Sequence, residues 1–254
     1  MITLTRVDLT LADRQVLSDV SFDVQAGETK VILGGSGSGK TTILRVILGL
    51  FRPDRGSVTI DGEDISALPE RQLPPIRQKM AMVFQGAALF DSLTVRENVG
   101  YRLGEQGRLS DEAIELIVRQ SLQFVGLEDS IDDMPADLSG GMRKRVGIAR
   151  ALASGAKIIL YDEPTAGLDP INGYAICHLL TQLKTKGVTQ VVVTHDLDLA
   201  FHVADRIVMI DDGRVIFQGT PDELCNRDDP AIRGFLDPAT LPAHRWKQEK
   251  ESAT

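Results

Sequence analysis

The stretch Gly34-Gly35-Ser36-Gly37-Ser38-Gly39-Lys40-Thr41 limits what this chain can fold into more than any other. It fits G-x-x-x-x-G-K-[ST], a loop that wraps a polyphosphate. The apolar segment Thr29 to Leu33 precedes it and reads as a strand. Thr42 to Leu48, without glycine or proline, follows and reads as a helix. Glycines let the backbone close on an anion without Cβ clashes. The turn aims several N–H groups and the helix N-terminus at the same anion. Lys40 is placed to reach the β- and γ-phosphates, and the Thr41 hydroxyl to ligate Mg²⁺. Thr42 joins the loop as a nucleotide-binding candidate. Strand, phosphate loop and helix in succession require an α/β core.

Composition narrows the class. The 254 residues, 43% hydrophobic and 25% charged, suit one large α/β domain with a subdomain. A net charge of −8 disfavours nucleic acid as the principal ligand. Cys177 and Cys225 are far apart, which suggests neither a disulfide scaffold nor a zinc site. Met1 to Arg6 lack the pattern of a signal peptide, and the longest apolar run, near Ile43–Phe51, is too short to span a bilayer. Action at a membrane would require another chain to hold this one there.

Along the chain, residues 2–9 and 16–24 read as an antiparallel hairpin with Asp13-Arg14 as turn material. Residues 57–62 are a strand, 63–78 a loop with a short helix, and 79–85 a buried strand. From about 91 to 149 the pattern is helical. Ser110 caps a helix carrying Ile114, Ile117, Val118 and Leu122, and Ser139 caps another carrying Met142, Val146, Ala149 and Leu152. After Lys157, strands 158–161, 190–194 and 206–210 alternate with helices 171–185 and 197–203, which implies a mostly parallel sheet covered on both faces. A hairpin at 211–214, strand 215–218 and a helix from Pro221 follow. The expected division is a core over 1–90 and 150–238, a helical subdomain over 91–149, and a tail over 239–254.

Four further places carry chemistry. Strand 158–161 ends in Asp162-Glu163, at the sheet edge where α/β ligands sit. Asp162 is a candidate Mg²⁺ ligand and Glu163 a candidate to activate the attacking water, although two such residues are also ordinary turn material. Gln85, ending another strand, is a candidate metal ligand or a plain polar stop. His195, ending a third, is a candidate phosphate contact or a structural histidine. Leu138-Ser139-Gly140-Gly141-Met142 opens a helix and makes a second anion site, so one ATP can be cradled by the loop of one copy and capped by this element of another. Arg143-Lys144-Arg145 reads as a solvated helix face or a subdomain docking surface.

With these residues in order and at this spacing, together with Ala166-Gly167-Leu168-Asp169, the chain resembles the ATP-binding cassette (ABC) family over roughly residues 1–220. The resemblance implies a P-loop NTPase fold, α/β with a mostly parallel sheet core, an antiparallel β subdomain and an inserted helical subdomain. It implies ATP and Mg²⁺ as ligands and Glu163 as the catalytic base. Ser139, Gly140 and Gly141 would act in trans in a head-to-tail dimer, and Asp169 would communicate between the two sites.

Leu138-Ser139-Gly140-Gly141-Met142-Arg143-Lys144-Arg145, the segment Phe84 to Val95 and the ending Asp229 to Leu236 resemble the ATPase subunits of Mla/Mce-type lipid transporters. That resemblance implies a permease, an Mce-domain lipid-binding protein and a STAS-domain subunit as partners. It also implies a peripheral place on the cytoplasmic face of the inner membrane. A solute importer is the alternative. A non-transport ABC protein would carry a coiled-coil insertion or tandem cassettes, which this chain lacks. One departure stands out. The family stacks adenine on an aromatic about two dozen residues before the loop, but Leu11 stands there and no aromatic lies between Leu4 and Phe22. Arg14 is the candidate substitute, because a guanidinium also stacks on a flat ring.

Overall fold

The computed structural model describes residues 1–236, so the tail expected over 239–254 lies outside the described residues. The chain opens with strands β1 (Ile2–Leu11), β2 (Arg14–Val24) and β3 (Thr29–Leu33). Helix α1 (Lys40–Ile47), strands β4 (Arg55–Ile60) and β5 (Glu63–Asp64), helix α2 (Pro74–Arg77) and strand β6 (Met80–Val83) follow. Next come helices α3 (Val95–Gln106), α4 (Asp111–Phe124) and α5 (Gly140–Ala153). Then β7 (Ile158–Asp162), α6 (Pro170–Thr185), β8 (Thr189–Thr194), α7 (Leu197–Val203) and β9 (Arg206–Asp211) alternate. Strand β10 (Arg214–Gly219) and helices α8 (Pro221–Cys225) and α9 (Pro230–Phe235) end the described chain.

The strands form two sheets. One is antiparallel, in the order β2-β1-β4-β5; the other runs β10-β9-β3-β8-β7-β6 and is parallel except for the β9–β10 hairpin. Side chains alternate across a strand, and β3 uses both faces. Val31 and Leu33 join a core with α5, α6 and α7, while Ile32 joins a second core with α1 and the antiparallel sheet. A strand buried on both sides needs the unbroken apolar run seen in its sequence.

The first hairpin turns on Ala12 and Asp13, both left-handed at φ 47° and 61°. Two such residues match the twist of the flanking strands. The turn is therefore one residue earlier than Asp13-Arg14, and Arg14 begins β2 opposite Leu11.

Helix α3 falls within the stretch that reads as helical, and its start is marked by a capping box in which Thr94 and Glu97 satisfy each other's backbone N–H groups. The basic run on α5 is not a solvated face. Lys144 is buried, Arg143 donates to the Leu138 carbonyl, and Arg145 Nη1 donates to the Val125 carbonyl at 3.2 Å. Helices α3 and α4 pack against α5, so three consecutive side chains cannot all reach water.

Loop 84–94 is half sunk into the protein. Ala87 is buried and Leu89 packs on the core, while Phe84 and Phe90 stay exposed. Ala87 and Ala88 are left-handed (φ 62° and 46°), which turns both carbonyls onto the Arg150 guanidinium at 2.7 and 2.8 Å. Asn98 of α3, fully buried, accepts from Phe90 N at 2.8 Å and donates to the carbonyls of Phe90, Leu93 and Thr94. Replacing it leaves buried backbone groups without partners, which is costlier than a net hydrogen bond is worth. Asn98→Leu is expected to lower stability by about 3 kcal/mol in urea denaturation; a loss under ~1 kcal/mol would mean water reaches those groups.

Candidate functional site

Parallel register brings the functional strand ends to one edge. Leu33 pairs with Thr194, Asp162 with Val193, and Val83 with Tyr161. The residues that follow each strand therefore emerge together. They line an open cleft of about 1140 Å³ that includes Gly35, Ser36, Gly37, Lys40, Thr41, Thr42, Gln85, Glu163 and His195.

The loop is closed on itself. Gly39, at φ 101°, ends it and opens α1 in a conformation only glycine adopts without strain. Lys40 Nζ donates to the carbonyls of Gly34 and Gly35 at 2.9 and 2.8 Å and lies 3.9 Å from Glu163 Oε1. Burial holds the Lys40 ammonium below the usual lysine range, against the pull of Glu163 and Asp162. Ser38 Oγ is buried with no hydrogen-bond partner. An ammonium resting on the carbonyls of its own loop, at the edge of the cleft, fits a site built for phosphate oxygens.

Two carboxylates face this loop. Thr41 Oγ1 donates to Asp162 Oδ1 at 2.9 Å. Burial raises the Asp162 pKa above the ordinary aspartate range; the Thr41 hydroxyl opposes that rise, and the neighbouring Glu163 charge adds to it. This threonine–aspartate pair, with the amide oxygen of Gln85 on the same cleft, is a hard oxygen donor set of the kind Mg²⁺ takes. Glu163 sits just past β7 in a left-handed conformation, φ 47°. Its N–H donates to the Val193 carbonyl at 2.9 Å, and its Oε2 accepts from Thr194 Oγ1 at 3.1 Å. Its Oε1 lies 2.9 Å from His195 Nδ1. Two β8 contacts and the histidine thus aim the carboxylate into the cleft.

The remaining candidates lie apart. Arg14 is exposed at the start of β2 and does not line the cleft; Val16, two residues on, does. Ser139 and Gly140 are exposed at the N-terminus of α5, with Ser139 Oγ accepting from Met142 N at 3.2 Å, and neither they nor Gly141 line this chain's own cleft. Asp169 caps α6, accepting from Ile171 N and Asn172 N at 3.0 Å and from the Asn172 side chain. Sequence reasoning missed Thr165, Asp198, Gly234 and Phe235, which also line the cleft. Thr165 Oγ1 donates to Asp196 Oδ2 at 2.8 Å, tying the loop after β7 to the loop after β8. No local motif signals Gly234 and Phe235, which arrive by the packing of α9.

Asp162 offers a test of this electrostatic balance. With its pKa raised, folding favours the protonated form. The penalty is complete above the folded pKa and disappears as pH falls through it towards the unfolded value. Asp162→Asn keeps an oxygen for Thr41 and removes the buried charge. It is expected to raise the melting temperature of the nucleotide-free protein at pH 7, by an amount that shrinks towards about pH 4. Destabilisation at pH 7 would contradict this balance.

Residues 17–166 match the ABC transporter family. The intermembrane phospholipid transport system ATP-binding protein MlaF of Escherichia coli (strain K12) is 37% identical over 238 residues, 93% of this chain and 88% of that protein. The methionine import ATP-binding protein MetN of Carboxydothermus hydrogenoformans is 39% identical over 242 residues, 93% of this chain and 72% of that protein. Among solved structures, the dimeric post-hydrolysis state of the ATP-binding cassette MJ0796 bound to ADP and Pi superposes with a TM-score of 0.79 at 36% identity, covering 87% of this chain and 98% of that one. Fold, cleft and kinship agree: the chain belongs to the ABC transporter family, as an ATP-binding, ATP-hydrolysing subunit.

Proposed function

We propose that this chain energises lipid transport between membranes in an Mla/Mce-type system. The observation that carries the lipid reading is the 37% identity to MlaF across nearly the whole chain. Met142 in the signature and the segment 84–95 agree with it. The similar identity to MetN supports a second reading, the ATPase of a small-solute importer. Purification with the native membrane partners separates the two. An Mce-domain protein, a STAS-domain subunit and bound phospholipid are expected; a periplasmic solute-binding protein instead would favour the importer.

In the proposed cycle, Lys40 exchanges the carbonyls of Gly34 and Gly35 for the β- and γ-phosphates of ATP, and the amides of residues 35–42 close around them. Thr41, Asp162 and Gln85 would hold Mg²⁺, which neutralises charge on the phosphate oxygens. Glu163 accepts a proton from the attacking water. His195, with Nδ1 towards Glu163, presents Nε2 to the γ-phosphate. Ser139, Gly140 and Gly141 of a second copy cover the nucleotide, and Asp169 beside them relays between the two sites. Val16, which lines the cleft, is an aliphatic candidate contact for the base beside Arg14.

Glu163→Gln keeps size and hydrogen bonding but cannot accept the proton. ATP should still bind while turnover falls by roughly 10²–10⁴. Lys40→Ala should instead weaken nucleotide binding itself, because the ammonium grips phosphate in the ground state as well. Titration with a non-hydrolysable analogue and steady-state hydrolysis distinguish these outcomes; near-normal turnover in Glu163→Gln would remove the base.

Coupling to the permease is read at loop 84–94. Phe84, Phe90 and Tyr101 are 42%, 44% and 43% exposed, and the Phe90 and Tyr101 ring centroids lie 4.6 Å apart with the rings tilted by 39°. Exposed aromatics on a loop pinned by Arg150 and Asn98 suit docking of a cytoplasmic helix of the permease. Among the described residues no helix is long and apolar enough to cross a membrane, so the permease would hold the chain at the cytoplasmic face of the inner membrane. Phe90→Asp should leave fold and ATP binding intact and weaken permease association at least tenfold, about 1.4 kcal/mol. Normal assembly and transport by this variant would move the contact elsewhere.

A further inference from the structure

The loop that carries Glu163 is held from two sides. Strand β8 takes its amide and its carboxylate, through Val193 and Thr194. Its carbonyl points the other way, towards α5. There Lys144 Nζ donates to the Ala166 carbonyl at 2.5 Å and to the Glu163 carbonyl at 3.4 Å, and Ala166 N donates to the same Glu163 carbonyl at 3.2 Å. Lys144 is 6% exposed, and burial holds its pKa below the usual lysine range. An ammonium sunk this deep onto backbone carbonyls is expensive unless the geometry it fixes matters. What it fixes is a peptide in which Glu163 is left-handed, a conformation that disfavours any side chain.

The same helix has two other grips. At its N-terminus Gly141 lies against Asn172; a Cβ there would fall 2.6 Å from Asn172 Oδ1, and Asn172 in turn donates to Asp169. Two turns beyond Lys144, Arg150 holds the carbonyls of Ala87 and Ala88, in the loop that follows Gln85. Helix α5 therefore touches the loop beyond β6, the cap of α6 and the loop of Glu163 at once.

The geometry points to Lys144 as a positioning residue for hydrolysis, fixing the Glu163 carboxylate to the helix that begins at Ser139, so that the carboxylate takes its working place only when α5 is seated. This rests on the reading of Glu163 as the base. A displacement of α5, from the permease side through Arg150 or from the second copy through Ser139, would reach the carboxylate through one ammonium group. Lys144 does not face the cleft, so nucleotide affinity does not depend on it.

The test compares Lys144→Met, Lys144→Arg and Glu163→Gln in the full chain, alone and assembled with its membrane partners. Lys144→Met keeps length and loses the donors. It is expected to lower kcat at least ~10-fold, with KM and the Kd for a non-hydrolysable ATP analogue within about threefold. Lys144→Arg, which keeps charge and donors, should return kcat to within about threefold of the unmutated protein. Amide exchange of residues 163–168 should quicken in Lys144→Met while that of β7 and α5 is unchanged. The inference is overturned by an unchanged kcat, by an equal loss of binding and turnover with deprotection of α5, or by Lys144→Arg behaving as Lys144→Met. If Lys144→Met does not fold, Lys144→Gln carries the comparison; an intermediate kcat at unchanged Kd supports the inference and a normal kcat overturns it. An active Lys144→Met beside an inactive Glu163→Gln removes only Lys144; an active Glu163→Gln removes the base and this inference with it.

Discussion

Everything chemical in this protein depends on the register of four parallel strands. Hydrogen bonding between β3, β8, β7 and β6 aligns Leu33 with Thr194, Asp162 with Val193 and Val83 with Tyr161. Each strand is buried on both faces, so a slip of one residue would drive each side chain into the opposite core. That penalty fixes the strand ends, and the strand ends fix the phosphate loop, the two carboxylates and the histidine within a single cleft. The Glu163–Thr194 hydrogen bond joins the ends of the neighbouring strands β7 and β8, and the Thr41–Asp162 hydrogen bond ties the start of α1 to the end of β7.

The second organising part is α5. Its 14 residues make three separate contacts: Lys144 with the loop of Glu163, Arg150 with the loop after β6, and the Gly141 backbone with Asn172 at the start of α6. Two of these loops contain left-handed non-glycine residues, Glu163 and the pair Ala87-Ala88. Such conformations persist only where the surroundings over-determine them, and in both places a cation from α5 does so. The polar grip is also why the helix tolerates a basic run in a packed environment: each charge ends on backbone carbonyls. One rigid helix holding two strained loops is a physical route by which the aromatic surface at Phe84 and Phe90 and the exposed Ser139 can be felt at Glu163.

Much of this was legible in the sequence because it rests on local rules. The strand–loop–helix context of Gly34 to Thr41, the N-caps Ser110 and Ser139, and the alternation after Lys157 each announce themselves within a dozen residues. What stayed hidden depends on contacts distant along the chain. Nothing in Arg143-Lys144-Arg145 says that α3 and α4 will cover α5, so a basic run reads equally as a solvated face or a docking surface. Nothing near Ala87 says that Arg150, 63 residues later, will bury it. Arg14 lies outside the cleft lining because the hairpin turn falls at Ala12-Asp13 and leaves it on the exposed strand end. Phe235 reaches the cleft only through the docking of the last helix.

The central claim is that half of each nucleotide site is absent from the chain that holds the nucleotide: Lys40 and Glu163 come from one copy, Ser139 from another. The exposed Ser139 and Gly140, lying outside this chain's own cleft, are the reason for it. The most direct measurement is the structure of the full chain carrying Glu163→Gln with ATP and Mg²⁺ bound. A γ-phosphate held by Lys40 of one copy and by Ser139 and the Gly140–Gly141 amides of its partner is the expected result. ATP fully enclosed by a single copy, with Ser139 of both copies in solvent, would contradict it.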